Sequence, residues 1–180
     1  MPPSHIARCY YRYFNERRFD DAGELVHPEA IFHYVPTRQH LVGRAGYRAL
    51  VAAWMIAFED ATVEIVSLES VDDRTVQIDF IGHGTHTGDL VLGEDFTIPA
   101  TGTRSDLPFR DTLTFRSALI VQSRLEFDAH KLRQRLMRSS CPHCQHLNTV
   151  QIEHTLIGPH SATTFRCVAC GKIIAADLSA

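Results

Sequence analysis

Phe109-Arg-Asp-Thr-Leu-Thr-Phe115 is the stretch on which the reading of this chain turns. With the two-residue period of a β-strand, Phe109, Asp111, Leu113 and Phe115 share one face, and Arg110, Thr112, Thr114 and Arg116 share the other. The first face is apolar and belongs to a core, so Asp111 carries a carboxylate into apolar surroundings. Desolvation disfavours the ionised form, which should lift the pKa of Asp111 towards the range where an acid/base works near neutral pH. A buried aspartate hydrogen-bonded to backbone or to a neighbouring strand accounts for the same pattern, and both readings stand.

Working outward, residues 74–88 form a second strand-like run in which Val76, Ile78, Phe80, Gly82, Gly84 and His86 share a face. His86 is then expected to point inward. His83 falls on the opposite face with Gln77 and Asp79, so the two histidines are not expected to share a metal. Gly82 and Gly84 remove side chains beside His86 and either bend the strand or leave room for a ligand. A hydrogen-bonded core histidine fits equally well. Further strands are expected at 30–35, 61–70, 107–117 and 118–127, with Asp72-Asp73 as a hairpin turn.

Helices are expected at 5–18, with Ile6, Tyr10, Tyr13 and Phe14 inward, and from Asp20 or Asp21 to Val26, stopped by His27-Pro28. A third covers 44–58, with a stripe of Tyr47, Leu50, Val51, Trp54 and Phe58. A fourth covers 129–137, capped by Asp128, with Leu132 and Leu136 four apart. Helices first and long strands second predict an α+β domain whose helices cover one face of a curved, largely antiparallel sheet. Phe32, Tyr34, Trp54 and Phe109 are the expected walls of any pocket around Asp111.

The length of 180 residues allows one ordinary domain and an appendage, and 44% hydrophobic residues suffice for a core. The net charge of −3 does not favour nucleic acid, and no apolar run is long enough to cross a bilayer. With no signal-peptide pattern at the N-terminus, the cytoplasm is the expected location.

Near the C-terminus stand Cys141-Pro-His-Cys144 and Cys167-Val-Ala-Cys170-Gly-Lys. Two residues between thiolates let a tight turn aim both sulfurs at one ion, so two such pairs predict a tetrahedral zinc ribbon with Zn²⁺ in a structural role. Pro142 stiffens the first turn, and Gly171 can take the positive φ that closes the second. Gly158-Pro159 is the expected turn of the intervening hairpin. Disulfides would need an oxidising compartment, and a redox pair would normally sit beside a βαβ unit. His143 and His146 are alternative ligands, and Cys9 reads as a small buried apolar residue. The expected division is 1–138 for the α+β domain and 139–180 for the ribbon, with Arg138-Ser139-Ser140 as linker. The ribbon is too short for a core of its own and depends on its metal.

GTHTGDL (84–90), IPATGTR (98–104), FRDTLTF (109–115) and EFDAHKLRQRL (126–136) occur in the order seen in the SnoaL-like polyketide cyclases. Over residues 5–137 the chain resembles this branch of the cone-shaped superfamily that includes ketosteroid isomerases and nuclear transport factor 2-like proteins. The resemblance implies that Asp111 lies where the cyclases keep their acid/base and His86 where they have a pocket histidine, with a hydrophobic small-molecule ligand and no organic cofactor. In that chemistry the carboxylate takes a proton from a carbon α to a carbonyl, an intramolecular aldol attack closes a ring, and His86 hydrogen-bonds an oxygen. The chain departs from the pattern at Ser117-Ala118-Leu119-Ile120, where the cyclases carry an Asp-Gly-Lys-Ile type of hairpin. Glu94-Asp95 lies in an enlarged connection that reshapes the pocket mouth, and the ribbon is not a normal part of the cyclases.

Two readings of function follow. One is a cyclase- or isomerase-type enzyme working through Asp111 and His86. The other is a non-catalytic module that binds a ligand or dimerises while the ribbon touches a protein partner. The modest positive character of Lys172, Arg166, His154 and His160 gives nucleic acid only weak support. Homodimerisation is expected through the open sheet face, where Val121, Ser123, Leu125 and Phe127 alternate with polar residues.

Overall fold

A computed structural model of the chain describes residues 2–92, 97–136, 144, 150–157 and 160–179. The chain divides into two compact units, Met1–Leu132 and Arg133–Ala180. The division comes earlier than the linker expected at Arg138-Ser139-Ser140, which lies outside the described residues.

The first unit begins with helix α1 (Pro3–Asn15), opened by a proline whose missing N–H costs nothing in the first turn. Its buried face is Ile6, Ala7, Tyr10 and Tyr11. Tyr13, expected inward, is half-buried, and the guanidinium groups of Arg12 and Arg18 lie over its ring at 5.4 and 4.5 Å. Tyr11 takes the inward place, with consequences for the site. Helix α2 (Phe19–Glu24) ends before the expected Val26, because Val26 already opens strand β1 (Val26–Tyr34). That strand tolerates Pro28 at an irregularity between Val26 and Ile31, where no ladder hydrogen bond is demanded of it. Strand β2 (Gln39–Val42), not anticipated, leads into helix α3 (Gly43–Ala57).

Strands β3 (Thr62–Ser70) and β4 (Thr75–Thr85) form the hairpin expected around Asp72-Asp73, whose turn is fastened by the Arg74 N–H donating to Asp72 Oδ1 at 2.7 Å. A two-residue pair, β5 (Leu90–Val91) with β6 (Thr97–Ile98), precedes the long strand β7 (Arg104–Arg116) and β8 (Leu119–Glu126). Glu94-Asp95 lies outside the described residues. The six-stranded sheet runs β2-β1-β8-β7-β4-β3. All its pairings are antiparallel except β1 with β8, so the sheet is mixed.

Alternation along β7 is as expected. Ser105, Leu107, Phe109, Asp111, Leu113 and Phe115 are buried, and the intervening residues are exposed or half-buried. On β8, Ser123 and Leu125 also face inward, buried at 4% and 8% exposure. The apolar face proposed for dimerisation is therefore covered within the unit. The outer face carries ion pairs instead, among them Arg110 with Asp79 and His83 with Asp106.

The hairpin joining β7 to β8 turns through Ser117 (φ 51°) and Ala118 (φ 64°), two left-handed residues in succession. That is the signature of the type I′ turn, which normally takes Asn-Gly or Gly-Gly. The turn is thus kept although its glycine is missing, at the cost of a Cβ in an unfavourable conformation.

Helix α4 (Ala129–Leu136) starts as expected on Asp128, whose Oδ1 accepts the Lys131 N–H at 2.9 Å. In the second unit, β9 (Val150–Ile157), β10 (His160–Cys167) and the unforeseen β11 (Ile173–Ser179) form an antiparallel sheet in the order β11-β10-β9. Ile157 pairs with His160, and the Gly158-Pro159 turn between them lies outside the described residues. Because Ala118 bears its strain in the folded state, Ala118→Gly should stabilise the protein by about 1 kcal/mol, seen as a higher Tm and denaturation midpoint with an unchanged m-value.

Candidate functional site

Between α1, α3 and the inner face of the sheet lies a cavity of about 100 Å³. Its wall is aromatic, with Tyr10, Tyr11, Trp54, Phe58, Phe80 and Phe109 contributing rings, and Asp111 supplies the carboxylate. The rings brace one another. Phe80 and Phe109 stack at 5.1 Å, Trp54 meets Phe109 edge-on at 5.4 Å, and Trp54 stacks on Phe58 at 5.9 Å.

Asp111 is 3% exposed and held by two hydroxyls. Tyr11 Oη donates to Oδ2 at 2.8 Å, and Ser123 Oγ donates to Oδ1 at 2.9 Å. The helix supplies one donor and β8 the other. In the β7–β8 register Asp111 lies opposite Leu125 and Leu113 opposite Ser123, which brings Ser123 diagonally onto the carboxylate. Burial pushes the Asp111 pKa up to about 6, against the downward pull of the Tyr11 and Ser123 hydrogen bonds. Among the described residues no cationic side chain pairs with it.

Of the other residues expected at the pocket, Trp54 and Phe109 stand on its wall. Phe32 and Tyr34 point inward but one layer back. The Tyr34 hydroxyl accepts the Trp54 indole N–H at 2.7 Å, and the Phe32 ring packs 6.2 Å from that of Tyr47. Both are backing residues, because the larger rings of α3 come between them and the cavity.

His86 is fully buried but is not on the wall. The burial alternation of β4 continues past its last residue, Thr85, and His86 points inward as expected, but behind the ring of Phe58. Its ring lies 5.0 Å from that of Phe58, and its Nδ1 is 3.1 Å from Thr101 Oγ1. The backbone pins the same residue, through His86 N–H to the Thr103 carbonyl and Gly102 N–H to the His86 carbonyl. Burial lowers the His86 pKa and keeps the ring neutral near pH 7. The structure thus does not bring His86 and Asp111 together; Phe58 stands between the histidine and the cavity. His83, as expected, is committed to the outer face, 2.7 Å from Asp106 Oδ1 and 3.2 Å from Glu64 Oε2. The residues that sequence reasoning missed are Tyr11, which adjoins Tyr10 on a helical face two residues wide, and Ser123, which it assigned to an open sheet face.

In the second unit the sulfurs of Cys144, Cys167 and Cys170 lie within 4.8 Å of one another, with Cys144 and Cys167 at 3.8 Å. Metal–sulfur bonds of about 2.3 Å in a tetrahedron give edges of about 3.8 Å, so the set fits a tetrahedral thiolate site. The turn after Cys167 has the expected form. Gly171 sits at φ 68°, its N–H donates to the Cys167 carbonyl at 2.8 Å, and the Cys167 N–H donates to the Lys172 carbonyl at 2.8 Å. Cys141, His143 and His146 lie outside the described residues. Cys9 is half-buried on α1.

An α+β unit whose helices close a curved mixed sheet is the fold of the SnoaL-like and ketosteroid isomerase-like proteins. Residues 7–123 match the family model of the SnoaL-like domain, and the chain belongs to that family. TsrD from Streptomyces laurentii superposes with a TM-score of 0.62 at 22% identity, covering 74% of this chain and 92% of that one. A candidate polyketide cyclase from Pseudomonas putida KT2440 gives 0.62 at 15% identity over 76% and 98%. Another from Xanthomonas campestris pv. campestris gives 0.61 at 13% over 74% and 96%. At these identities the likeness is one of fold. No curated protein matches the chain. Among the described residues no helix is long and apolar enough to cross a membrane.

The carboxylate has a consequence for stability. Its pKa is about 6 in the folded protein against an ordinary aspartate value of 3.8 in the unfolded chain, so between these values the folded state holds more protons. Stability from this group is therefore present at low pH and is lost as pH rises through 4 to 6, by about 3 kcal/mol in all. Asp111→Asn cannot ionise. Its stability relative to the parent should improve by about that amount between pH 4 and pH 7 in urea unfolding, and a pH-independent difference would contradict the burial argument.

Proposed function

We propose that the first unit is a cyclase- or isomerase-type enzyme in which Asp111 acts as the single acid/base on a hydrophobic carbonyl compound. The observation that carries this reading is a carboxylate with a pKa of about 6, buried on the wall of an apolar cavity. The geometry suits abstraction of a proton α to a carbonyl, because an apolar wall excludes the water that would compete for the base. The electron pair of the broken C–H bond passes to the carbonyl oxygen as an enolate, spread by the substrate's conjugation. In a cyclisation the enolate carbon then attacks a second carbonyl of the same molecule, and Asp111 returns its proton to the new alkoxide. In an isomerisation the same proton returns to a different carbon. Tyr11 and Ser123 hold the carboxylate in one orientation throughout. The wall residues whose hydroxyls are left to meet a substrate oxygen are Tyr10, Tyr47, Thr62 and Ser105, in place of the role expected of His86; of these, Tyr47 has its hydroxyl buried without a hydrogen-bond partner among the described residues. His86 becomes a positioning residue that fixes Phe58 from behind.

A second reading, ligand binding without turnover, is favoured by the absence of His86 from the cavity wall. One experiment separates the two. In the enzyme reading Asp111→Asn should lower turnover of an enolisable carbonyl substrate by about 10²–10⁴-fold with little change in affinity. Undetectable turnover in the parent protein alongside tight binding would favour the second reading.

For the second unit we propose a structural Zn²⁺ held by Cys141, Cys144, Cys167 and Cys170, with the ribbon surface offered to a protein partner. Support comes from the sulfur spacing and from the closed turn at Gly171. Cys144→Ser or Cys170→Ser should reduce zinc by elemental analysis from about one ion per chain to a small fraction. Residues 150–179 should then lose amide protection from hydrogen exchange while residues 3–126 keep theirs.

A further inference from the structure

His33 on β1 and His40 on β2 are cross-strand partners, and their ring centres lie 4.5 Å apart with the planes at 77°. Phe32 and Tyr34 are buried on the inner side of the sheet, so alternation places His33 on the outer side, between the exposed Ile31 and Val35. The pair therefore stands on the face opposite the cavity and takes no part in the chemistry assigned to Asp111.

Three other histidines of the first unit are committed. His83 lies between two carboxylates, Nδ1 of His86 is 3.1 Å from Thr101 Oγ1, and Nδ1 of His27 accepts the Glu29 N–H at 3.1 Å. Among the described residues, the rings of His33 and His40 make no hydrogen bond and no ion pair. Arg124, opposite His33 on β8, has its charge met by Glu126 Oε1 at 2.8 Å. Burial, with His40 and Arg124 nearby, lowers the His33 pKa, which keeps that ring neutral and its lone pair available near pH 7.

An imidazole bound through nitrogen at about 2.1 Å holds its ring centre about 3.2 Å from the ion, so two centres 4.5 Å apart correspond to a nitrogen–metal–nitrogen angle of about 90°. That is the angle between adjacent ligands in octahedral and square-planar sites, which suit Ni²⁺ and Cu²⁺. The β1–β2 pairing already holds the two residues opposite one another. His40 is exposed and the torsion that turns its ring is soft, so aiming a nitrogen at a shared ion costs little.

We infer that His33 and His40 form a two-histidine site for a divalent d-block cation of the Ni²⁺ or Cu²⁺ type on the outer face of the six-stranded sheet, with water in the remaining positions. The site belongs to the first unit, and the thiolate cluster belongs to the second. Its structural effect is to fasten β2. That strand has four residues, stands at the end of the sheet beside β1, and leads into α3, which carries Tyr47, Leu50 and Trp54 to the cavity wall.

The test is calorimetric titration of Ni²⁺ into the full chain, loaded beforehand with one equivalent of Zn²⁺ to occupy the thiolates, with Mg²⁺ as control. The parent protein should bind one Ni²⁺ per chain without losing zinc by elemental analysis, and Mg²⁺ should not bind. His33→Gln and His40→Gln should each weaken Ni²⁺ binding at least tenfold. The thiolates are unchanged in both variants, so a difference from the parent reports the histidine pair. Ni²⁺ should also raise the amide protection of residues 39–42 from hydrogen exchange in the parent and leave it unaltered in the variants. If His33→Gln fails to fold, His40→Gln, at an exposed position, carries the test alone. Absence of Ni²⁺ binding to the zinc-loaded parent, an affinity unchanged by His40→Gln, or binding that leaves residues 39–42 unprotected would each overturn the site.

Discussion

The first unit is organised around the burial of one carboxylate. Keeping Asp111 among Phe, Leu and Trp side chains is unfavourable whenever it is ionised, and two hydroxyls only partly offset that cost. Each hydroxyl depends on a long-range feature. Tyr11 reaches the carboxylate because α1 packs across the sheet, and Ser123 reaches it because the irregularity at Val121 shifts β8 by one residue from the register that the turn at Ser117-Ala118 sets, bringing Ser123 onto the inner face. A one-residue slip in that hairpin would turn Ser123 to the other face. The strained turn, the helix docking and the raised pKa are thus linked parts of one arrangement, in which local stability is given up where a reactive group is wanted.

Much of this was legible in the sequence where a period of two or 3.6 runs unbroken. The alternation along 109–115 placed Asp111 inside, and the same alternation placed Phe109 on the wall. The readings that failed did so at interruptions. His86 does point inward, but one residue past the end of β4 the loop at 101–103 and the Phe58 ring hold it away from the cavity wall. Tyr11 was passed over because a helix buries adjacent pairs, here Ile6-Ala7 and Tyr10-Tyr11, while a single stripe drawn through Tyr13 and Phe14 follows only one edge of that face. Phe32 and Tyr34 do point inward. Only three-dimensional packing could reveal that Trp54 and Tyr47 come between them and the cavity, since periodicity reports a direction but not a depth.

The cysteine cluster was readable for a different reason. The ligand type, the spacing within each pair and the glycine that closes the turn after Cys167 are all local in the sequence. The 3.8 Å separation of Cys144 and Cys167 joins residues far apart in sequence, and Cys167 is held at the end of the β9–β10 ladder by its pairing with Val150. Active-site geometry in the first unit has no such economy, because the carboxylate comes from β7 and its hydroxyl donors from α1 and β8.

What enters the cavity will also change the carboxylate that greets it. The raised pKa of Asp111 comes chiefly from burial. An apolar occupant that completes the exclusion of water must therefore push the pKa higher, weakening its readiness to be ionised at neutral pH but strengthening it as a base once ionised. Tyr11 and Ser123 act against that drift, since both donate to the charged form. A base that must be ionised before the substrate arrives and strong after it has closed the site needs both influences, a dry wall and fixed hydroxyl donors. The aromatic wall supplies the first, and the β7–β8 register together with α1 supplies the second.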